Sequence, residues 1–288
     1  MAHFRKYLHI ATLAFLLSCS LHSTNTSAQT ELWDTYMSRF GDRPASILVD
    51  MGLILTAPDV RYPYLVITGP KALHSDKNGI PVKEEIASLE DILDATGNFL
   101  TGLTAKKLAG TLTYNGQRNN YYYVRDTMGI RNAIMRMYTR NFKDYKFALT
   151  IKYDPQWLMY RTFLYPSNET QNWMDNNKVI TQMLQNGDSL TKPRNITFAA
   201  CFNADSSRNA FTIFITNSGY TVDKDHTVKN TDYPLCMLFH KYGYIKKDSI
   251  NIITDEIRNN IKVHNGIYNG WNAPFKQLTD TTGTKATH

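Results

Sequence analysis

Apolar and polar positions alternate along 45–53, where Ile47, Val49 and Met51 are set against Ser46, Leu48 and Asp50. A period of two predicts a strand with one face in a core. A second strand is expected over 62–68, stopped by Gly69-Pro70, and Asp76-Lys77-Asn78-Gly79 marks a loop. A helix then opens at Pro81, with Glu84 and Glu85 in its first turn, where the helix dipole favours negative charge. Ile86, Leu89, Leu93, Leu100 and Leu103 recur at helical spacing on one face. Strands over 108–114 and 119–125 flank Asn115-Gly116, the strongest short hairpin signal. Ile130, Ala133, Ile134, Met137 and Tyr138 make a second helical stripe, and 147–153 a closing strand before Asp154-Pro155. The order over 31–165 is therefore β-β-α-β-β-α-β. It predicts an α+β sandwich with an antiparallel-rich sheet, close to the ferredoxin-like type.

A second unit of the same class is expected over 166–275. Trp173, Val179, Ile180, Met183 and Leu184 outline a helix that Gly187 stops. Ile196, Phe198, Ala200 and Phe202 alternate as a strand from Arg194. Asp205 or Ser206 can cap a helix carrying Phe211, Phe214 and Ile215 inward and ending near Gly219. A short strand over 220–222, a polar loop over 223–226 and a strand over 235–242 follow. Asp248 caps a last helix with Ile250, Ile253, Ile257 and Ile261 on one face. A turn over 266–271 holds two large rings, Tyr268 and Trp271, and residues 276–288 read as a flexible polar tail. No residue-level repeat links the two halves.

Composition narrows the class. The 288 residues are 42% hydrophobic and 12% aromatic, which fits globular domains and excludes a disordered chain. The net charge of +7 permits anionic surfaces without demanding them. Between 118 and 146, basic and aromatic residues mix: Arg118, Tyr121, Tyr122, Tyr123, Arg125, Arg131, Arg136, Arg140, Lys143 and Lys146. Stacking rings beside cations could read nucleic acid. The plainer reading is tyrosines packing a sheet beside a solvated helix face, so nucleic acid is not the expected partner.

Residues 1–30 read as a leader and tether. Arg5-Lys6 precede an apolar stretch over 7–17, too short to span a bilayer and suited to a signal-peptide core. Leu16-Leu17-Ser18-Cys19 looks like a lipobox, with Cys19 as the lipid attachment site; the rival is cleavage after Ala28. Either way an exported protein is expected, on the periplasmic side of the cell envelope and anchored by an N-terminal lipid, or soluble if Ala28 is the cleavage site. Cys201 and Cys236 remain, both in expected strands. They could pair across a sheet, but the plainer reading is two buried free thiols.

No catalytic frame stands out. His74, His226, His240, His264 and His288 are scattered, and none sits in a metal-ligand spacing. Asp223, Asp225 and His226 lack the rest of a calcium loop. There is no nucleophile elbow and no phosphate-binding glycine loop, so no metal or cofactor is expected. Asp188 and Arg194 flank the helix–loop–strand corner after Gly187 and could pair. His240 reads as a satisfied core residue. Tyr268 and Trp271 read as a core plug or as a partner anchor.

Gly187-Asp188-Ser189-Leu190, Pro193-Arg194, Phe198, Phe202, Phe211, Gly219-Tyr220 and Gly266-Ile267-Tyr268-Asn269-Gly270-Trp271 resemble the RraB family, named for regulators that inhibit ribonuclease E. The resemblance runs from Asn172 to about Phe275, with Asn269 where the family usually has Asp. It implies an α+β fold of ferredoxin-like type and action by binding another protein. Gly187, Asp188, Pro193, Arg194, Tyr268, Gly270 and Trp271 would then be signature residues and candidates for partner contact. Trp33, Tyr36, the Pro81 helix start, the Tyr-rich hairpin and the exit over 157–166 resemble a bacterial domain-of-unknown-function family, six-nine-five, often joined to an RraB-like domain. This second resemblance implies fold and pairing, not an activity. The missing catalytic frame, together with the resemblance to a binding regulator, points to a non-enzymatic module that binds a protein or an envelope component. The alternatives are a hydrolase-like enzyme, with Asp188, Arg194 and a histidine converging in a cleft between the halves, and a cytosolic ribonuclease-regulator-like protein if the leader is misread.

Overall fold

The computed structural model describes residues 31–276, so the expected leader, Cys19, Ala28, His288 and the tail beyond Lys276 lie outside the described residues. The fold is α+β, built on two antiparallel sheets.

The first sheet has six strands: β1 (Trp33–Phe40), β2 (Arg43–Asp50), β3 (Tyr64–Pro70), β4 (Lys106–Tyr114), β5 (Gln117–Val124) and β6 (Phe147–Tyr153). They lie in the order β1-β2-β4-β5-β3-β6. Helix α1 (Ile86–Thr101) joins β3 to β4, and α2 (Ile130–Asn141) joins β5 to β6. The β4–β5 turn needs two residues with positive φ to match the twist of its strands. Asn115 (φ 51°) and Gly116 (φ 77°) supply them.

The second half opens with α3 (Asn168–Gln185), followed by β7 (Arg194–Phe202), α4 (Asp205–Asn217), β8 (Thr221–Thr227), β9 (Leu235–Gly243), α5 (Lys247–Val263) and β10 (Gly266–Asn272). Its sheet runs β10-β7-β9-β8. Numbered within its own βαββαβ path, that order is fourth, first, third, second. The run β3-α1-β4-β5-α2-β6 has the same order, with the β1–β2 hairpin added at the outer edge of β4. The chain thus traces one ferredoxin-like path twice, a repeat of topology that the residues do not display.

The two sheets are covered differently. In the first, Ile92, Leu100, Ile134 and Met137 of the helices pack one face, against Val66, Tyr122 and Val124. Leu53, Trp157, Tyr160 and Leu164 seal the other, against Ile47, Val49, Leu65, Tyr121 and Tyr123. Alternation along β5 sends Tyr122 one way and Tyr121 and Tyr123 the other, so these tyrosines pack the sheet. The covering segment is held by Asp154, whose carboxylate accepts from the Tyr123 hydroxyl (2.7 Å) and from the backbone N–H groups of Leu158 and Met159. Trp157 stacks on Tyr123 at 3.9 Å and donates through Nε1 to the Tyr62 carbonyl.

The second sheet has one core face. Ile196, Phe198, Ala200, Phe202, Met237 and Phe239 meet Phe211 and Ile215 of α4 and Ile250, Ile257 and Ile261 of α5. Its other face carries Thr197, Ala199, Leu238, His240 and Tyr242, and no helix packs on it among the described residues.

Several expectations need correction. β1 was not foreseen as a strand, and residues 51–55 form a 3₁₀ turn rather than a strand end, because Asp50 accepts from the backbone N–H of Gly52. The expected polar loop over 223–226 lies inside β8, pairing with β9 around a bulge. The expected turn over 266–271 is β10, whose Gly266, Ile267 and Tyr268 pair with Phe202, Cys201 and Ala200. Leu103 lies beyond the end of α1, and Trp173 and Leu184 are exposed on α3. Cys201 and Cys236 are not free thiols. They face each other in register across β7 and β9 and form a disulfide.

Candidate functional site

The corner after α3 is a closed anchor. Gly187 (φ 88°) ends the helix in a left-handed conformation, and the Asp188 N–H returns to the Met183 carbonyl. Asp188 and Arg194 are each 2% exposed and form a bidentate ion pair. Arg194 also donates to the Pro274 and Lys192 carbonyls, and Asp188 accepts from the backbone N–H groups of Leu190 and Lys276. Pro193 gives its carbonyl to Lys276 Nζ at 2.7 Å. Lys276, expected at the start of a flexible tail, is therefore tied down. The Arg194 guanidinium holds the Asp188 carboxyl well below the usual carboxylate range, against the opposing effect of burial. Every group here is satisfied by the chain itself, so the corner fastens α3, β7 and the end of β10 together and presents no reactive group.

A second set of buried polar residues fixes α3 on α5. Asn172 donates to Thr254 and Asp255, and Asn176 to Asn251 and Thr254, all within 2.9 Å. Trp271 donates through Nε1 to Asn176 Oδ1 at 2.8 Å. Trp271 is thus a plug seated on an asparagine. Asn172 and Asn176 were missed in the sequence because Asn at that spacing reads as a solvated helix face. Their spacing of four, in line with Ile180 and Met183, is the signal that marks them.

Concave surface lies along β10, an edge strand with β7 on one side only. A groove of about 520 Å³ is lined by Asn168 and Glu169 of α3, by Asp255, Arg258, Ile261 and Lys262 of α5, and by Gly266, Ile267 and Tyr268. A second hollow of about 260 Å³ continues it past Asn172, Asp175 and Asn176 to Asn269, Gly270 and Trp271. Arg258 and Tyr268 line both. The Arg258 guanidinium sits 5.8 Å above the Tyr268 ring, within range of a cation–π contact. Burial raises the Tyr268 pKa, so its hydroxyl keeps its proton, and that hydroxyl has no hydrogen-bond partner among the described residues. Arg258 and Lys262 were not singled out in the sequence; their signal is two cations four apart on the polar face of α5.

Between the halves a smaller cavity of about 160 Å³ is bounded by Thr35, Tyr36 and Met37 of β1 and by Trp173, Met174, Lys247 and Asn251. Lys178 crosses to Asp34 at 2.7 Å. Asp188 and Arg194 do not line it, and no histidine lines it or the β10 groove. Among the described residues the convergence of Asp188, Arg194 and a histidine is not formed. His240, expected in the core, lies on the open sheet face and pairs through Nδ1 with Asp223 at 2.6 Å. Among the described residues no group of three His, Cys, Asp or Glu side chains could hold a metal ion, and no helix is long and apolar enough to cross a membrane.

Comparison with known proteins gives the following. Residues 31–165 match the model of a family of unknown function (DUF695), and residues 173–273 match that of regulator of ribonuclease activity B (RraB). No curated protein matches the chain. Two solved structures are similar at a TM-score of 0.20, each covering 74% of this chain and 98% of its own: an unknown protein from Galdieria sulphuraria at 8% identity, and a "putative glycine cleavage system transcriptional repressor" at 7%. Similarity at that level carries no argument. The Gly187, Asp188, Pro193 and Arg194 corner and the Tyr268–Trp271 strand that lines the groove both fall in the second matched segment, and the chain joins an N-terminal DUF695 domain to a C-terminal RraB-like domain.

Proposed function

We propose that this protein is a non-enzymatic regulatory module that acts by binding another protein, with the β10 groove of the RraB-like half as the contact surface. The observation that carries this is the groove itself. It combines signature residues Tyr268, Gly270 and Trp271 with exposed charge and an unpaired strand edge, while the polar groups of the corner are spent on structure. Aromatic and arginine side chains lining a concave patch suit protein contact. The module works outside the cytosol, held at the envelope by a lipid on Cys19. A short basic, apolar leader ending in Leu16-Leu17-Ser18-Cys19 supports that placement, and so does the Cys201–Cys236 disulfide, because such bonds persist in oxidising compartments.

Two measurements test this. Affinity isolation from the native membrane fraction should recover a stoichiometric protein partner, and recovery of none contradicts the binding role. Cys19→Ala should move the protein out of the membrane fraction, and wild-type protein that never takes up labelled fatty acid contradicts the anchor.

A further inference from the structure

We propose that the free edge of β10 takes an extended, acidic segment of the partner protein as a fifth strand of the sheet. This rests on the partner-binding reading above and says what the partner must present.

The four-stranded sheet has two edges, and they are built differently. β8 carries Asp223, Lys224, Asp225 and His226 and a bulge between Val222 and Lys224. Charges and bulges on an edge strand block pairing with another chain. β10 reads Gly-Ile-Tyr-Asn-Gly-Trp-Asn and has no charged residue. Its own irregularity falls between Tyr268 and Trp271, which leaves 266–268 as regular strand whose outward backbone groups have no partner among the described residues. Ile267 is 38% exposed there. Strand addition draws affinity from such backbone groups and specificity from the pockets that receive alternate side chains.

The groove beside this edge sets the charge of the incoming segment. Asp255 has one carboxylate oxygen engaged by Asn172 and the other by Trp173 Nε1, both neutral donors, so its acceptors are occupied while its charge remains. Among the described residues Arg258 makes a long 3.4 Å bond to the Asn168 carbonyl, sits over the Tyr268 ring and forms no ion pair. Lys262, one turn further along α5, is exposed and makes no ion pair among the described residues. Glu169, in the first turn of α3, is an opposing charge at the rim. The lining is balanced in charge, Arg258 and Lys262 against Glu169 and Asp255, but the Asp255 oxygens are already engaged while the Arg258 donors are nearly unused, so Arg258 is the group placed to receive a carboxylate of the segment bidentately.

The test uses the full chain and short synthetic peptides of alternating Val and Thr with a central Glu, a central Lys, or the Glu sequence with N-methylated backbone amides. Hydrogen exchange and peptide fluorescence anisotropy are the readouts. The Glu peptide should slow exchange over 266–268 and bind about ten-fold more tightly than the Lys peptide. The N-methylated peptide should not bind. Arg258→Gln should abolish the Glu preference without changing the melting curve. Equal binding of the Glu and Lys peptides, or no change in exchange at 266–268 with any peptide, overturns the proposal. If that happens while membrane isolation still yields a stoichiometric partner, partner binding stands and the β10 edge is not its seat. If isolation yields none, the wider reading falls as well.

Discussion

The two halves follow one path and finish it differently. After β6 the chain turns back at Asp154, and Trp157, Tyr160 and Leu164 seal the outer face of the first sheet. The chain leaving β10 instead passes to the Asp188–Arg194 corner, and among the described residues no helix covers the outer face of the second sheet. Strand addition is foreclosed at one edge of the second sheet by charge and left open at the other. One half therefore covers both faces of its sheet, and the other leaves one face and one uncharged strand edge uncovered among the described residues. Shared topology does not set shared function; what each path leaves uncovered does.

Breaking the corner should have the largest effect, confined to the second half. Arg194→Met leaves Asp188 buried without its counter-charge and should cost about 3–5 kcal/mol, read as faster hydrogen exchange in β7 and β10 with β3 and β5 unchanged. The pH dependence follows from the depressed Asp188 pKa. Its stabilisation is complete above the unfolded value of about 4 and is lost as pH falls through the lower folded value. The advantage of wild type over Asp188→Asn should be full at neutral pH and shrink below about pH 4 in acid titrations of unfolding. An advantage that grows with acid contradicts the assignment.

Reduction of Cys201–Cys236 comes next. It should destabilise the second half by about 2–4 kcal/mol, measured as a lower urea midpoint with reductant that Cys201→Ala/Cys236→Ala reproduces. Asn176→Ala should cost about 1–3 kcal/mol, because it strands the Trp271 N–H in a buried site; calorimetry of the full chain reads it. Lys178→Ala should be nearly silent. Its pair with Asp34 is more than half exposed on the lysine side, and such pairs contribute about 0–1 kcal/mol. A larger loss there would mean that the halves depend on each other more than this contact allows.

Much of this was legible in the residues because local rules coincided with the fold. Asn115-Gly116 gave its hairpin and Gly187 its helix stop, since both depend on backbone freedom alone. The strands with strict alternation were placed within a few residues. What was not legible depends on partners distant in sequence. Asn172 and Asn176 look solvated until Thr254, Asn251 and Trp271 arrive from α5 and β10. The disulfide requires the register of β7 on β9, which spacing does not contain. β10 looked like a turn because its two glycines outweigh its rings, and the groove beside it could not be read without that strand.

The most direct test of the central claim is site-specific photocrosslinking in living cells, with the photoreactive residue at Ile267 on the open edge or at Tyr153, exposed on β6 of the first half. The account predicts a discrete protein adduct from position 267 and none from 153. An adduct from 153 with none from 267 contradicts it.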